Sequence, residues 1–153
     1  MTVANFDQLC KGVCEVAGCA MPDVAVSEHG AAAASVLLDG VEVTLGHDPL
    51  RGANMAFVIT RFGPLPAGQA LLASVALLQT NSAMLGNNSP CFGYDPLTHD
   101  VLLHHTCPFD TATPVSVHQS IVRFVAIARE WRTNHFLPSA PAGTPGAPQA
   151  SYV

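Results

Sequence analysis

Leu65-Pro66-Ala67-Gly68-Gln69-Ala70-Leu71-Leu72-Ala73-Ser74-Val75-Ala76-Leu77-Leu78-Gln79-Thr80-Asn81 decides how this chain is read. The stretch predicts one helix over 66–81. Pro66 suits the first helical position, where the N–H that proline lacks has no partner anyway. Ala, Leu and Gln are strong helix formers. Asn81 is a plausible stop, because Asn tolerates the left-handed conformation of a C-cap. The polarity is what sets the stretch apart. Leu71, Val75 and Leu78 form one apolar stripe, and Leu72, Ala73, Ala76 and Leu77 carry apolar surface round most of the circumference. No charged residue lies between Pro66 and Asn81. A helix that is apolar nearly all round needs cover nearly all round. One face can lie on the chain's own sheet, and a second copy of the chain is the simplest cover for the other.

On the N-terminal side, Asn54 to Phe62 reads as a strand with Met55, Phe57 and Ile59 on one face, and Ala56 and Val58 make the other face semi-apolar. Gly63-Pro64 breaks it. Before it, Ala33 to Leu38 and Val41 to Leu45 form a hairpin around Asp39-Gly40, a two-residue turn suited to positive φ. Val41, Val43 and Leu45 alternate with Glu42 and Thr44, as a strand covered on one face requires. Met21 to Gly30 reads as a linker. Residues 3–18 read as an amphipathic helix with Phe6, Leu9, Cys10, Val13 and Ala17 on one face, ended by Gly18.

On the C-terminal side, Cys91–Tyr94, a turn at Asp95-Pro96-Leu97-Thr98 and Asp100–Thr106 predict a second hairpin. Thr113 and Pro114 open a last helix whose apolar face is Val117, Ile121, Phe124, Val125, Ala128 and Trp131. From Pro138 the composition shifts to Pro, Ala, Gly and Ser, which predicts a disordered tail over 137–153 behind a single domain over 1–136. The order α-βββ-α-ββ-α, with no strand–helix–strand crossover signal, predicts an α+β fold: an antiparallel sheet flanked by helices.

Composition narrows the function. The 153 residues carry a net charge of −5 and only six Lys and Arg, scattered along the chain, which argues against nucleic acid. Charged residues make up 11% of the chain, against about 25% in typical domains. The mean hydropathy of +0.32 is high, yet no apolar run approaches the roughly 18 residues of a membrane span. The surplus apolar surface therefore belongs in protein–protein contacts. Five cysteines, an odd number, and an uncharged start at Met1-Thr2-Val3-Ala4 point to a reducing cytoplasm, with thiols acting as small hydrophobes.

Catalytic and metal signals are weak. His104 and His105 are adjacent on a strand and point to opposite faces, so they do not readily share a metal. His29, His47 and His118 fit no ligand spacing. Asp95 and Asp100 face each other across a turn as a conceivable carboxylate pair, but Asp before Pro also simply initiates turns. There is no G-x-S-x-G, no H-E-x-x-H and no phosphate loop. No enzyme activity, catalytic residue, metal or cofactor is expected. A sheet edge beside helices offers instead a place where an extended peptide adds as a strand.

The run Leu71-Leu72 through Leu77-Leu78-Gln79-Thr80-Asn81, then Phe92-Gly93-Tyr94-Asp95-Pro96, Asp100-Val101-Leu102-Leu103 and Pro108-Phe109, resembles the class I type III secretion chaperones, the Tir-chaperone family. Leu37-Leu38-Asp39-Gly40 and Phe57–Ile59 leading into Gly63-Pro64-Leu65-Pro66 are similar to it too. The likeness spans about residues 3–136. It implies an acidic bacterial cytoplasmic homodimer that binds the N-terminal region of one or more secreted effectors, keeps it secretion-competent and hydrolyses nothing. A secretion ATPase is a possible further partner. Leu71, Leu72, Val75 and Leu78 are then expected at the dimer interface, where burial supplies roughly 6–12 kcal/mol before association costs. Phe6, Val13, Val36, Leu38, Phe57 and Ile59 are expected to face the effector. The alternatives are an adaptor or regulatory binding protein with the same fold, and a small His-dependent metal-binding protein or hydrolase.

Overall fold

The structure is a computed structural model, and it describes residues 5–86 and 88–137. Of the tail expected over 137–153, all but Leu137 lies outside the described residues. Helix α1 (Phe6–Ala17) begins at Asn5, whose side chain accepts the Gln8 N–H at 3.0 Å. It ends at Gly18 in the left-handed conformation (φ 66°), a position that only glycine takes without strain. Strands β1 (Ala25–Val26), β2 (Ala32–Leu38), β3 (Val41–His47) and β4 (Met55–Pro64) follow. Then come α2 (Ala70–Ala83), β5 (Cys91–Asp95), β6 (Asp100–Pro108) and α3 (Pro114–Asn134). The six strands form one antiparallel sheet in the order β1-β2-β3-β4-β6-β5. The α+β order expected from the sequence is therefore present, with the short β1 added inside the region read as a linker.

Local chemistry sets the register. Asp39 and Gly40 both take positive φ, 48° and 75°, and close β2 on β3 with Leu38 opposite Val41. Thr113 caps α3 in a reciprocal box with Ser116, and Pro114 takes the first turn. Arg61 and Gly63 flank a bulge in β4, so the strand runs past the expected break to Pro64. Arg132, from the last turn of α3, clamps that bulge. Its guanidinium donates to the carbonyls of Phe62 (2.9 Å), Gly40 (2.7 Å) and Arg61 (3.1 Å).

α1 and α3 cover one face of the sheet. All six residues predicted for the inner face of α3 are buried, and Trp131 is fully so. β4 divides its residues between the two faces of the sheet. Ala56, Val58, Thr60 and Phe62 are buried under the helices, while Met55, Phe57 and Ile59 lie on the open face of the sheet. The smaller residues face inward because α3 packs closely over β4, where bulk is supplied by the helix and by Phe62.

α2 differs from its expectation at both ends. The chain makes a turn at Pro66–Gln69, with Gly68 at φ 77°, and the helix begins at Ala70. It continues past Asn81 to Ala83. Asn81 is not a cap. Its amide brackets the outer side of β5, accepting the Phe92 N–H (2.8 Å) and donating to the Phe92 carbonyl (3.0 Å). α2 thereby stands in for the strand that β5 lacks at its outer edge. It buries only Ala73 and Leu77.

Candidate binding surfaces

Among the described residues, three apolar surfaces are uncovered. The first lies at the β2 edge. β1 pairs only with Ala32 and Ala33, so beyond them the outer side of β2 through Leu38 has no strand partner among the described residues. Beside that edge runs a narrow groove of about 50 Å³ between α1 and β2. Val36 and Leu38 form one wall, Cys14 and Ala17 the other, and Val13 lies at the floor. Cys19 and Pro22 stand at its end. On the opposite side of the same strand, Leu37 is 72% exposed. A segment added to β2 would therefore meet apolar side chains on both faces of the sheet.

The second surface is the open face of the sheet, a concavity of about 770 Å³ floored by Phe57, Ile59, Met55 and His104, with Arg51 at its rim. The Phe57 ring lies across Gly46, so any side chain at Gly46 would collide with it. This close approach is what lets a phenylalanine lie flat on the sheet. Further along, the face becomes polar. Arg61 bonds Glu42 at 2.8 Å and Asp100 at 2.7 Å, and Ser35 bonds Thr44 at 2.7 Å. Asp100, then Glu42, hold the Arg61 guanidinium charged.

The third surface is the outer face of α2. Leu71 (77%), Leu72 (60%), Val75 (43%) and Leu78 (65%) are all exposed, with no charged neighbour on the helix. These are the four residues expected at a dimer interface, and the fold brings them together on one element.

The six positions expected to face an effector do not form one patch. Phe6 is a core residue, stacked on His47, and supports the sheet from within. Val13, Val36 and Leu38 meet in the α1/β2 groove. Phe57 and Ile59 lie on the other face of the sheet. The period-two alternation was legible, but which face the helices would cover was not.

Asp95, Asp100 and His105 serve the fold. Asp95 holds the hairpin turn, accepting the Leu97 N–H (2.9 Å) and the Thr98 hydroxyl (3.0 Å), contacts that keep its carboxyl below the usual carboxylate range. Asp100 serves Arg61, so the two carboxylates do not act as a pair. His105 turns inward against Phe124, His104 outward. Burial pushes both imidazoles down; Arg51 adds to this at His104, and a bond with the Asn88 backbone opposes it at His105. Among the described residues, no three His, Cys, Asp or Glu side chains are placed to hold a metal ion.

The sequence of residues 51–132, more than half of the chain, matches the family described as Tir chaperone protein (CesT). The chain belongs to the CesT family. Solved structures share its fold. It superposes on a chain of the ExsC–ExsE complex with a TM-score of 0.61 at 21% identity, covering 88% of this chain and 97% of that one. The HopA1–SchA chaperone–effector complex gives a TM-score of 0.61 at 16% identity, with 84% and 93% covered. The ExoT–SpcS complex from Pseudomonas aeruginosa gives 0.54 at 17%, with 80% and 92% covered. No curated protein matches the chain. As a CesT-family chain it is a member of a chaperone family, and no helix among the described residues is long and apolar enough to cross a membrane. The resemblance drawn from the central helix and second hairpin holds at the level of family and fold.

Proposed function

We propose that this CesT-family protein is a type III secretion chaperone. It binds the N-terminal region of one or more effectors as an extended segment and keeps it secretion-competent, acting by binding rather than turnover. The observation that carries the reading is the free edge of β2 between two apolar surfaces. Backbone hydrogen bonds along the edge give affinity without demanding one sequence, and alternate side chains enter the α1/β2 groove and the open face. The structural relatives, solved as complexes with effectors or other partners, support this reading. The working unit is a bacterial cytoplasmic homodimer joined through α2 at Leu71, Leu72, Val75 and Leu78, with a secretion ATPase as a later partner.

The test is co-purification with the N-terminal segments of effectors encoded beside this gene. The wild type should form a stable complex. Leu38→Asp, which puts a charge in the groove on a half-buried strand end, should weaken it by at least about tenfold while leaving the oligomeric mass unchanged. Retention of full affinity by Leu38→Asp, or failure of the wild type to retain any segment, would overturn the reading.

A further inference from the structure

Three of the five cysteines fall within ten residues and line one groove: Cys10, Cys14 and Cys19. Cys10 is buried, its thiol pushed up to about 12 by burial, with Cys14 and Asp7 adding to the shift, and is inert. The other two are arranged differently. α1 ends in a paired cap. The Gly18 N–H bonds the Glu15 carbonyl at 3.3 Å, and the Cys19 N–H bonds the Cys14 carbonyl at 3.1 Å. That six-to-one, five-to-two pattern brings the side chain just beyond the cap onto the side chain in the last turn, and apolar residues usually fill both places. Here both are cysteines, and both line the same groove.

The geometry points to a reversible disulfide between Cys14 and Cys19 as a modification site that closes the end of the α1/β2 groove. Cys19 is exposed and Cys14 half-buried, so Cys19 meets an incoming oxidant first. With a small-molecule disulfide as oxidant, the Cys19 thiolate attacks one sulfur, expels one thiolate, which takes up a proton, and becomes a mixed disulfide. The Cys14 thiolate then attacks the Cys19 sulfur and expels the second thiolate. Two cysteine thiols lose two electrons and two protons, and the oxidant becomes two thiols. Burial, then the neighbouring Cys19 thiol, pushes the Cys14 thiol up, which suits a resolving group that reacts only with its neighbour. In the reduced state no covalent bond holds the Cys19 side chain to α1. The bond pins Cys19 to α1 and fixes the segment leading to Pro22 across the groove end, beside Val36 and Leu38. Its effect on binding rests on the proposed chaperone function; the bond itself does not.

The test equilibrates the full-length protein in reduced or oxidised glutathione buffers and measures intact mass and digested peptides. Oxidation should remove about 2 Da and join Cys14 to Cys19 within one chain, whereas Cys14→Ser should stop at a glutathione adduct on Cys19. Reduced protein should bind an effector segment about tenfold more tightly than oxidised protein, and Cys14→Ser/Cys19→Ser should bind equally in both buffers. Absence of the bond, or its formation with Cys10 or Cys91 or between chains, would overturn the site. Formation of the bond with equal binding in both states would overturn its control of the groove. If neither state binds any segment, the chaperone proposal fails and the modification site stands.

Discussion

Arg132 shows how much one side chain settles. It sits in the last turn of α3, where a cation also meets the negative end of the helix dipole. Its planar fork reaches three carbonyls at the β4 bulge and the β2–β3 turn. Lysine offers a point charge in place of a fork and cannot reproduce this. Arg132→Ala is expected to lower stability by about 1–2 kcal/mol and Arg132→Lys by about half of that, read from urea unfolding midpoints at unchanged slope. Nothing in the sequence marks Arg132 for this role, since its partners are backbone atoms about 70 and 92 positions away. The same holds for Asn81. It reads locally as a helix stop, and only the spatial order of the strands makes it a bracket on Phe92.

At the scale of the element, α2 is the part whose reading and structure bear most directly on assembly. Its apolar circumference was legible because charge is absent over a whole helix. Its start was misplaced because Gly68 at positive φ overrides the preference of Pro66 for a first helical turn. In the free chain Leu72 and Leu78 are solvent-exposed, so aspartate there disturbs little of the monomer's own packing. In a dimer joined through α2 the same aspartates are buried without a partner. Light scattering should therefore give twice the chain mass for the wild type, and the single mass for Leu72→Asp and Leu78→Asp with helical content preserved. A wild-type monomer would remove α2 as an interface. The strands teach a complementary lesson. Alternation in β4 paired Met55, Phe57 and Ile59 correctly, but assigning the core by residue size inverts the sheet, because the covering helices supply the bulk.

Among the described residues, the molecule is a sheet with one face covered by α1 and α3 and the opposite face open. The fold class and most of the elements followed from periodicity and turn chemistry; the binding surfaces did not, because they depend on which edge and which face stay uncovered. Acid should loosen this arrangement. His105 is packed against Phe124 under the helices, and burial holds its pKa below the ordinary 6.5. The folded state therefore favours the neutral ring. The stability this contributes is complete above pH 6.5 and falls away as the pH drops toward the depressed folded value. His104 adds in the same direction. Unfolding midpoints compared at about pH 7.5 and about pH 5.5 should drop for the wild type, and drop less for His105→Gln, which keeps a polar side chain but takes up no proton.

The amide of Asn81 has one more implication, for the order of events during synthesis. The helix that presents Leu71, Leu72 and Leu78 is anchored to the sheet through β5, a strand made after it and aligned only once β6 has paired with it. Until that later hairpin closes, the sticky face of α2 has no fixed direction in which to point. In the proposed homodimer the bracket would therefore act as a timer, with pairing through α2 waiting until each copy has finished its own sheet.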